Sequence, residues 1–222
     1  MSAVTFEMFR GALLLAGDRV CAARDELCAL DAAAGDGDLG TTLSKGFTAA
    51  HGPVEAWAGD PDCGAVLTEL GRVLAREAPS TMGTLLATAF MSAGRSVAGN
   101  AELDAERVAL ILRSAADTVA ERGRAVPGQR TVVDALEPAA AAAEKAVSAG
   151  DEPSQVLQAA ANAAHEGAAA TAGMEPAHGR AAWIGERAAG RPDGGAFAWS
   201  VYLTGLADAV TATTDTTPKG AR

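Results

Sequence analysis

Asp104-Ala-Glu-Arg-Val-Ala-Leu-Ile-Leu-Arg-Ser-Ala-Ala-Asp-Thr-Val119 carries the pattern that decides the fold class. Val108, Ile111, Leu112, Ala115 and Val119 recur at helical spacing, and Asp104 stands in front of them as a capping residue. The same pattern recurs on both sides. Hydrophobic residues make up 49% of the chain, much of it alanine, and aromatic residues only 4%. A core of this kind is built from closely packed helices. Valine and isoleucine rarely alternate with polar residues, so strand signals are weak. The expected class is all-α.

Working outward, the spacing predicts eight helices. The first runs from a Thr5 cap to about Leu30, with Phe6, Phe9, Leu13, Val20, Leu27 and Leu30 on its apolar side. A short helix follows from about Thr41 to Ala50, then a loop from His51 to Asp62 marked by Pro53, Gly59 and Pro61. Further helices run from Cys63 to Ala78, from the Pro79–Thr84 turn to Ala98, and from the Asp104 cap to the loop at Gly123–Arg130. Two more cover Val132 to Ala149 and Pro153 to Thr171, with Pro153 suited to a first turn. A long Gly/Pro-rich connection, Gly173 to Gly195, precedes a last helix from Ala196 to Thr211. The chain reads as one domain over residues 1–212, with 213–222 as a flexible tail.

A formal net charge of −10 disfavours nucleic acid and anionic membrane surfaces as partners. Cys21, Cys28 and Cys63 are an odd set without paired spacing, which suits a reducing compartment. Cys21 and Cys28, seven apart, read as core residues on one helix face. No basic start leads into a long apolar run, and Ala12–Ala16 is too short to span a bilayer, so the expected location is the cytoplasm.

Chemistry gathers first at Asp31-Ala-Ala-Ala-Gly-Asp36-Gly-Asp38-Leu-Gly40-Thr-Thr42. Three carboxylates in eight residues repel one another, and a folded chain commonly neutralises such a group with a cation. Mg²⁺ is a hard cation that suits these oxygens and brings phosphates with it. An ordinary solvated Asp/Gly turn has the same composition, and the loop alone leaves both readings open. An EF-hand fits poorly, because Thr42 stands where its twelfth-position Glu would be, and no Walker A loop is present. Three further loops are rich in glycine or hydroxyls: Ser80–Thr84, Gly123–Val132 and Gly179–Gly195. The four follow the first, third, fifth and seventh expected helices. In an up-and-down bundle they would lie at the same end, and helix N-termini there favour phosphate.

These residues together resemble the nucleotide-binding L subunit of dihydroxyacetone kinases (DhaL), a unit also found as the C-terminal domain of single-chain dihydroxyacetone kinases. The resemblance runs from about residue 5 to 210. Besides Asp31–Gly40 it rests on Thr81-Met82-Gly83, on Pro127-Gly128-Gln-Arg-Thr131-Val-Val-Asp134-Ala-Leu136-Glu-Pro138, and on Gly179-Arg180-Ala-Ala-Trp-Ile-Gly185-Glu186-Arg187 followed by Asp193-Gly-Gly195-Ala196. It implies a barrel of eight antiparallel helices with the nucleotide site at one end. It implies that Asp31, Asp36 and Asp38 hold two Mg²⁺ ions on the phosphates of ADP or ATP. Leu39, Gly40, Thr41 and Thr42 would lie on phosphate, the last three through amides and hydroxyls. Thr81 and Met82 form a second phosphate turn, Gly123 and Val132 flank the adenine, and Arg180, Asp193, Gly194 and Gly195 complete the nucleotide contacts.

The implied reaction is in-line phosphoryl transfer to dihydroxyacetone or a related short ketose. The sugar is held by a separate K-type subunit through a histidine, and a phosphocarrier protein is a possible donor. His51, His165 and His178 match no family role. The chain departs from the family pattern at Leu39 (usually histidine), Met82 (serine), Gln129-Arg130 (Asp-Lys), Val132 (methionine) and Gly194 (proline). A nucleotide-binding regulatory or interaction module without turnover is the alternative reading, and a family member paired with a different acyl or sugar substrate subunit a third. Arg180, Glu186 and Arg187 could instead form a structural ion-pair network. Asp134 suits a helix start in any fold, and Trp57, Trp183 and Trp199 read as packing residues.

Overall fold

Side-chain oxygens supplied by the sequence start several of the helices. In the computed structural model, which describes residues 3–33, 35–177 and 190–216 (side chains to 213), these residues form nine α-helices. They are α1 (Phe6–Ala22), α2 (Arg24–Ala32), α3 (Leu39–Glu55), α4 (Cys63–Glu77), α5 (Thr81–Ser96), α6 (Ala105–Gly123), α7 (Val133–Ala149), α8 (Pro153–Ala170) and α9 (Gly194–Thr216). Thr5, Asp62, Ser80 and Asp104 accept hydrogen bonds from first-turn amides of α1, α4, α5 and α6, as N-caps do. The other described elements are a one-turn 3₁₀ helix at Thr171–Gly173 and a pair of two-residue strands, β1 (Val4–Thr5) antiparallel to β2 (Glu102–Leu103).

Two expectations are corrected by packing. The first long helix breaks at Ala23, whose ψ of 7° lies outside the helical range. The polar run Arg24-Asp25-Glu26 interrupts the apolar stripe there, and α2 buries only Leu27. Cys21 and Cys28 therefore lie on different helices, and both sulfurs meet α3, at Ser44 and Thr48 and at Thr41 respectively. The expected loop from His51 is helical as far as Glu55. Pro53 removes one amide from that last turn, but Val54 is buried and Ala56 N–H still reaches the Gly52 carbonyl, so burial overrides the local breakers. At the C-terminal end α9 starts at Gly194 and runs to Thr216.

The helices pack as a closed sequence of neighbours. α1 lies on α3, α3 on α4, and so on through α5, α6, α7 and α8 to α9, which packs back on α1. α2 joins on the α3 side. Phe47 of α3, Phe90 of α5, and Trp199 and Tyr202 of α9 meet in one aromatic group, with Tyr202 centred 5.4 Å from Phe47 and 5.2 Å from Phe90. α7 and α8 face each other largely through alanines, including Ala139, Ala143, Ala160 and Ala164, all buried.

Close helix contact depends on glycine where α4 meets α5. A Cβ on Gly64 would stand 2.7 Å from the Ala98 backbone and strike the Gly94 carbonyl. Gly64→Ala is expected to lower stability by about 1–3 kcal/mol, overcoming the helix-propensity gain of about 1 kcal/mol. Urea unfolding measures this; an unchanged or raised stability would mean the two helices separate without cost.

Candidate functional site

Asp31 is the hinge of the acidic loop. It sits in the last turn of α2, and its Oδ2 accepts the amides of Gly37 (2.8 Å), Asp38 (3.0 Å) and Leu39 (3.4 Å). Those amides lead directly into α3, so one carboxylate holds both the loop and the next helix start. Gly37 has φ +79°, a conformation that costs glycine little. Carboxylate oxygens of Asp31, Asp36 and Asp38 all lie within 4.8 Å of one another, with Asp31 half-buried and the other two exposed. Three hard oxygens at this separation fit a divalent cation such as Mg²⁺, which offsets their mutual repulsion.

This loop opens into a cavity of about 510 Å³. Its walls include Leu30, Asp31, Asp36, Asp38 and Leu39, the α5 start at Pro79–Met82, Arg130, and Arg191–Gly195. A second cavity of about 820 Å³ lies beyond, with Leu85, Val119, Gly123, Ala125, Val132 and Val133 on its sides. Pro79, Ser80, Thr81, Met82, Arg130 and Asp193 line both, so the two spaces join there. One end of the combined site is acidic and the other apolar. The described parts of four loops, far apart in sequence, meet around it.

At the junction, Asp193 caps α9, its Oδ1 accepting from Ala196 N–H at 2.8 Å while its own N–H donates to Thr171 Oγ1. Burial pushes the Asp193 carboxyl up to about 6, against the pull of the Ala196 amide and the Arg130 charge. Arg130 is 7% exposed, carries a φ of +56°, and donates from Nη2 to the Arg191 carbonyl at 2.9 Å. Asp134, in the first turn of α7, is buried and accepts from the amides of Gly128 and Thr131 on either side of Arg130. Its role here is to tie that loop, beyond any favourable dipole.

Most residues expected from the sequence converge. Asp31, Asp36, Asp38, Leu39, Gly194 and Gly195 line the acidic cavity, Gly123 and Val132 the apolar one, and Thr81, Met82 and Asp193 both. Gly40, Thr41 and Thr42 stand one turn away: Gly40 is buried against the Arg24 carbonyl, and Thr41 Oγ1 is 3.6 Å from Cys28 Sγ. Arg180, Trp183, Glu186, Arg187 and His178 lie outside the described residues. His51 pairs with Glu55 and His165 is exposed, away from the cavities. Two departures from the family pattern sit against the glycines that begin α9. A Cβ on Gly194 would come within 2.8 Å of Leu39 Cδ2, and one on Gly195 would strike Met82 Cε. Sequence reasoning missed Leu85 and Val119 because their period is that of ordinary core. It noted Arg130 only as a substitution.

A family model described as the DAK2 domain matches residues 33–208, and the chain belongs to this family. It is 34% identical over 193 residues to the D-erythrulose kinase of Mycolicibacterium smegmatis, covering 86% of this chain and 33% of that protein. It is 33% identical over 207 residues to the L-erythrulose kinase of Pectobacterium atrosepticum, covering 93% and 35%. The chain thus spans about a third of the length of these relatives. The PEP-dependent dihydroxyacetone kinase, ADP-binding subunit DhaL of Escherichia coli is 31% identical over 180 residues, covering 81% of this chain and 85% of that one. The solved dihydroxyacetone kinase of C. freundii shares the fold, with a TM-score of 0.71 at 24% identity over 91% of this chain and 34% of that one. Its complex with AMP-PNP and Mg²⁺ superposes with a TM-score of 0.69.

The raised Asp193 carboxyl has a definite pH signature. Its folded value, about 6, lies above the ordinary 3.8, so ionised Asp193 costs stability above about pH 6 and the cost fades as pH falls toward 4. Asp193→Asn is expected to gain on the wild type by up to about 3 kcal/mol as pH rises from about 4 to 7. Denaturant unfolding of both proteins across that range measures it, and a constant difference would contradict the assignment.

Proposed function

We propose that the chain is the nucleotide-binding part of a kinase for dihydroxyacetone or a related short ketose. The observation that carries this reading is the joined pair of cavities, three carboxylates at one end and an apolar chamber at the other. A nucleoside polyphosphate has the same polarity. The relatives named as dihydroxyacetone and erythrulose kinases, and the subunit named as ADP-binding, support the same assignment.

In this reading Asp31, Asp36 and Asp38 hold two Mg²⁺ ions, which when bound supply positive charge to phosphate oxygens. Residues Leu39, Gly40, Thr41 and Thr42 at the start of α3, and Thr81 and Met82 at the start of α5, present helix N-termini to phosphate. Gly123 and Val132 flank adenine in the apolar chamber. Arg180, Asp193, Gly194 and Gly195 make the remaining nucleotide contacts. The neighbour order of the helices supports a barrel of eight antiparallel helices, within a single domain over residues 1–212 and with a flexible end. A separate K-type subunit brings the sugar, with ATP or a phosphocarrier protein as donor, in the cytoplasm. Among the described residues no helix is long and apolar enough to cross a membrane.

Titration calorimetry with ADP tests the site. Affinity is expected to fall by about ten-fold or more in the presence of a chelator or in Asp36→Ala, since the cation bridges carboxylate and phosphate. Equal affinity with and without Mg²⁺ would sink the proposal. A coupled assay tests the division of labour: the chain alone, given ATP and dihydroxyacetone, is expected to show no turnover, and robust turnover would remove the need for a sugar-binding partner.

A further inference from the structure

Arg130 is placed unusually for a loop arginine. Its backbone is left-handed, a conformation that side-chain-bearing residues adopt only where surroundings hold it. The surroundings here are Asp134, gripping the amides of Gly128 and Thr131 around it, and the Arg191 carbonyl, 2.9 Å from Nη2. The residue is 7% exposed. A guanidinium held this far from water is weakly screened, so it acts strongly on any charge that comes beside it.

Its location supplies the charge. Among the described residues, Arg130 is the cation that lines both cavities, whereas Arg122 lines only the apolar one and Arg191 only the acidic one. Asp193 shares the junction, and its carboxyl feels the Arg130 charge. An elongated ligand with its base among Leu85, Val119 and Val132 and its terminal phosphate at Asp31, Asp36 and Asp38 must pass its sugar and first phosphate through this junction. An anion there meets the Asp193 carboxylate, and a cation at the same junction offsets that repulsion. A guanidinium presents paired N–H donors whose geometry matches phosphate oxygens.

We propose that Arg130 is a specificity-determining residue that holds the phosphate nearest the sugar and so separates nucleotides from nucleosides. The proposal rests on the nucleotide-binding reading above. It assigns Arg130 a role independent of the cation at the aspartates, which sits at the far end of the site.

The test is calorimetry of the full chain with ADP in Mg²⁺ and with adenosine, on wild type, Arg130→Met and Arg130→Gln, with thermal unfolding of each protein. Both substitutions are expected to weaken ADP by about 10- to 100-fold while adenosine stays within about two-fold and the thermal midpoint is unchanged. ADP affinity within about two-fold of wild type in either folded variant overturns the assignment. So does a parallel loss of ADP and adenosine, which marks Arg130 as only a tie to the Arg191 carbonyl. If adenosine binds neither protein measurably, the midpoint decides: ADP loss at an unchanged midpoint supports the role, and ADP loss with a lowered one overturns it. Wild-type chain that binds no ADP in Mg²⁺ fails the nucleotide reading itself, whereas ADP binding retained by the variants fails Arg130 alone.

Discussion

The return of α9 onto α1 and α8 is the contact on which the site depends. It sets Gly194 and Gly195 against Leu39 and Met82, and brings the Asp193 cap to the same cavity as Asp31. Without that closure the acidic loop would be a turn facing water, and the start of α5 would have no opposite wall. The aromatic group formed by Phe47, Phe90, Trp199 and Tyr202 fixes the return from inside, because the last helix supplies two of its rings. Such rings bury large apolar areas and prefer a few mutual orientations, which gives the closure both energy and register.

Electrostatics in the site are divided by distance rather than averaged. Three carboxylates crowd one end, where solvent reaches Asp36 and Asp38 and Asp31 is spent partly on backbone amides. At the junction a half-buried Asp193 and a buried Arg130 face the same space, and desolvation dominates the carboxyl. The far end is walled mainly by aliphatic side chains, with Arg122 beside them. A ligand that is anionic at one end and apolar at the other fits this gradient, and one of uniform polarity does not.

Leu39 and Met82 show how substitutions in such a site are absorbed. Both are apolar where the family resemblance gives polar side chains, and both fill space that a Cβ on residue 194 or 195 would need. Leu39 is therefore coupled to the glycine at 194, another departure from the pattern. The change at the acidic loop and the change at the α9 start make one packed unit. The three metal-type aspartates remain beside it with their spacing intact.

Helix identity was legible from the sequence because capping oxygens and apolar period act within a few residues, as at Thr5 and Asp104. The carboxylate cluster was legible for the same reason, with Asp31, Asp36 and Asp38 brought together by one short loop. What the local signals misread were the break at Ala23, where the polar run Arg24–Glu26 interrupts the apolar stripe, and the helical turn through Pro53, where burial of Val54 outweighed propensity. Tertiary structure alone decided that Arg130 lies at the junction of two cavities, that Leu85 and Val119 wall a chamber, and that Leu39 and Met82 seat on Gly194 and Gly195. Each of these joins residues from different helices and loops, and no local period encodes a contact made only when the last helix closes on the first.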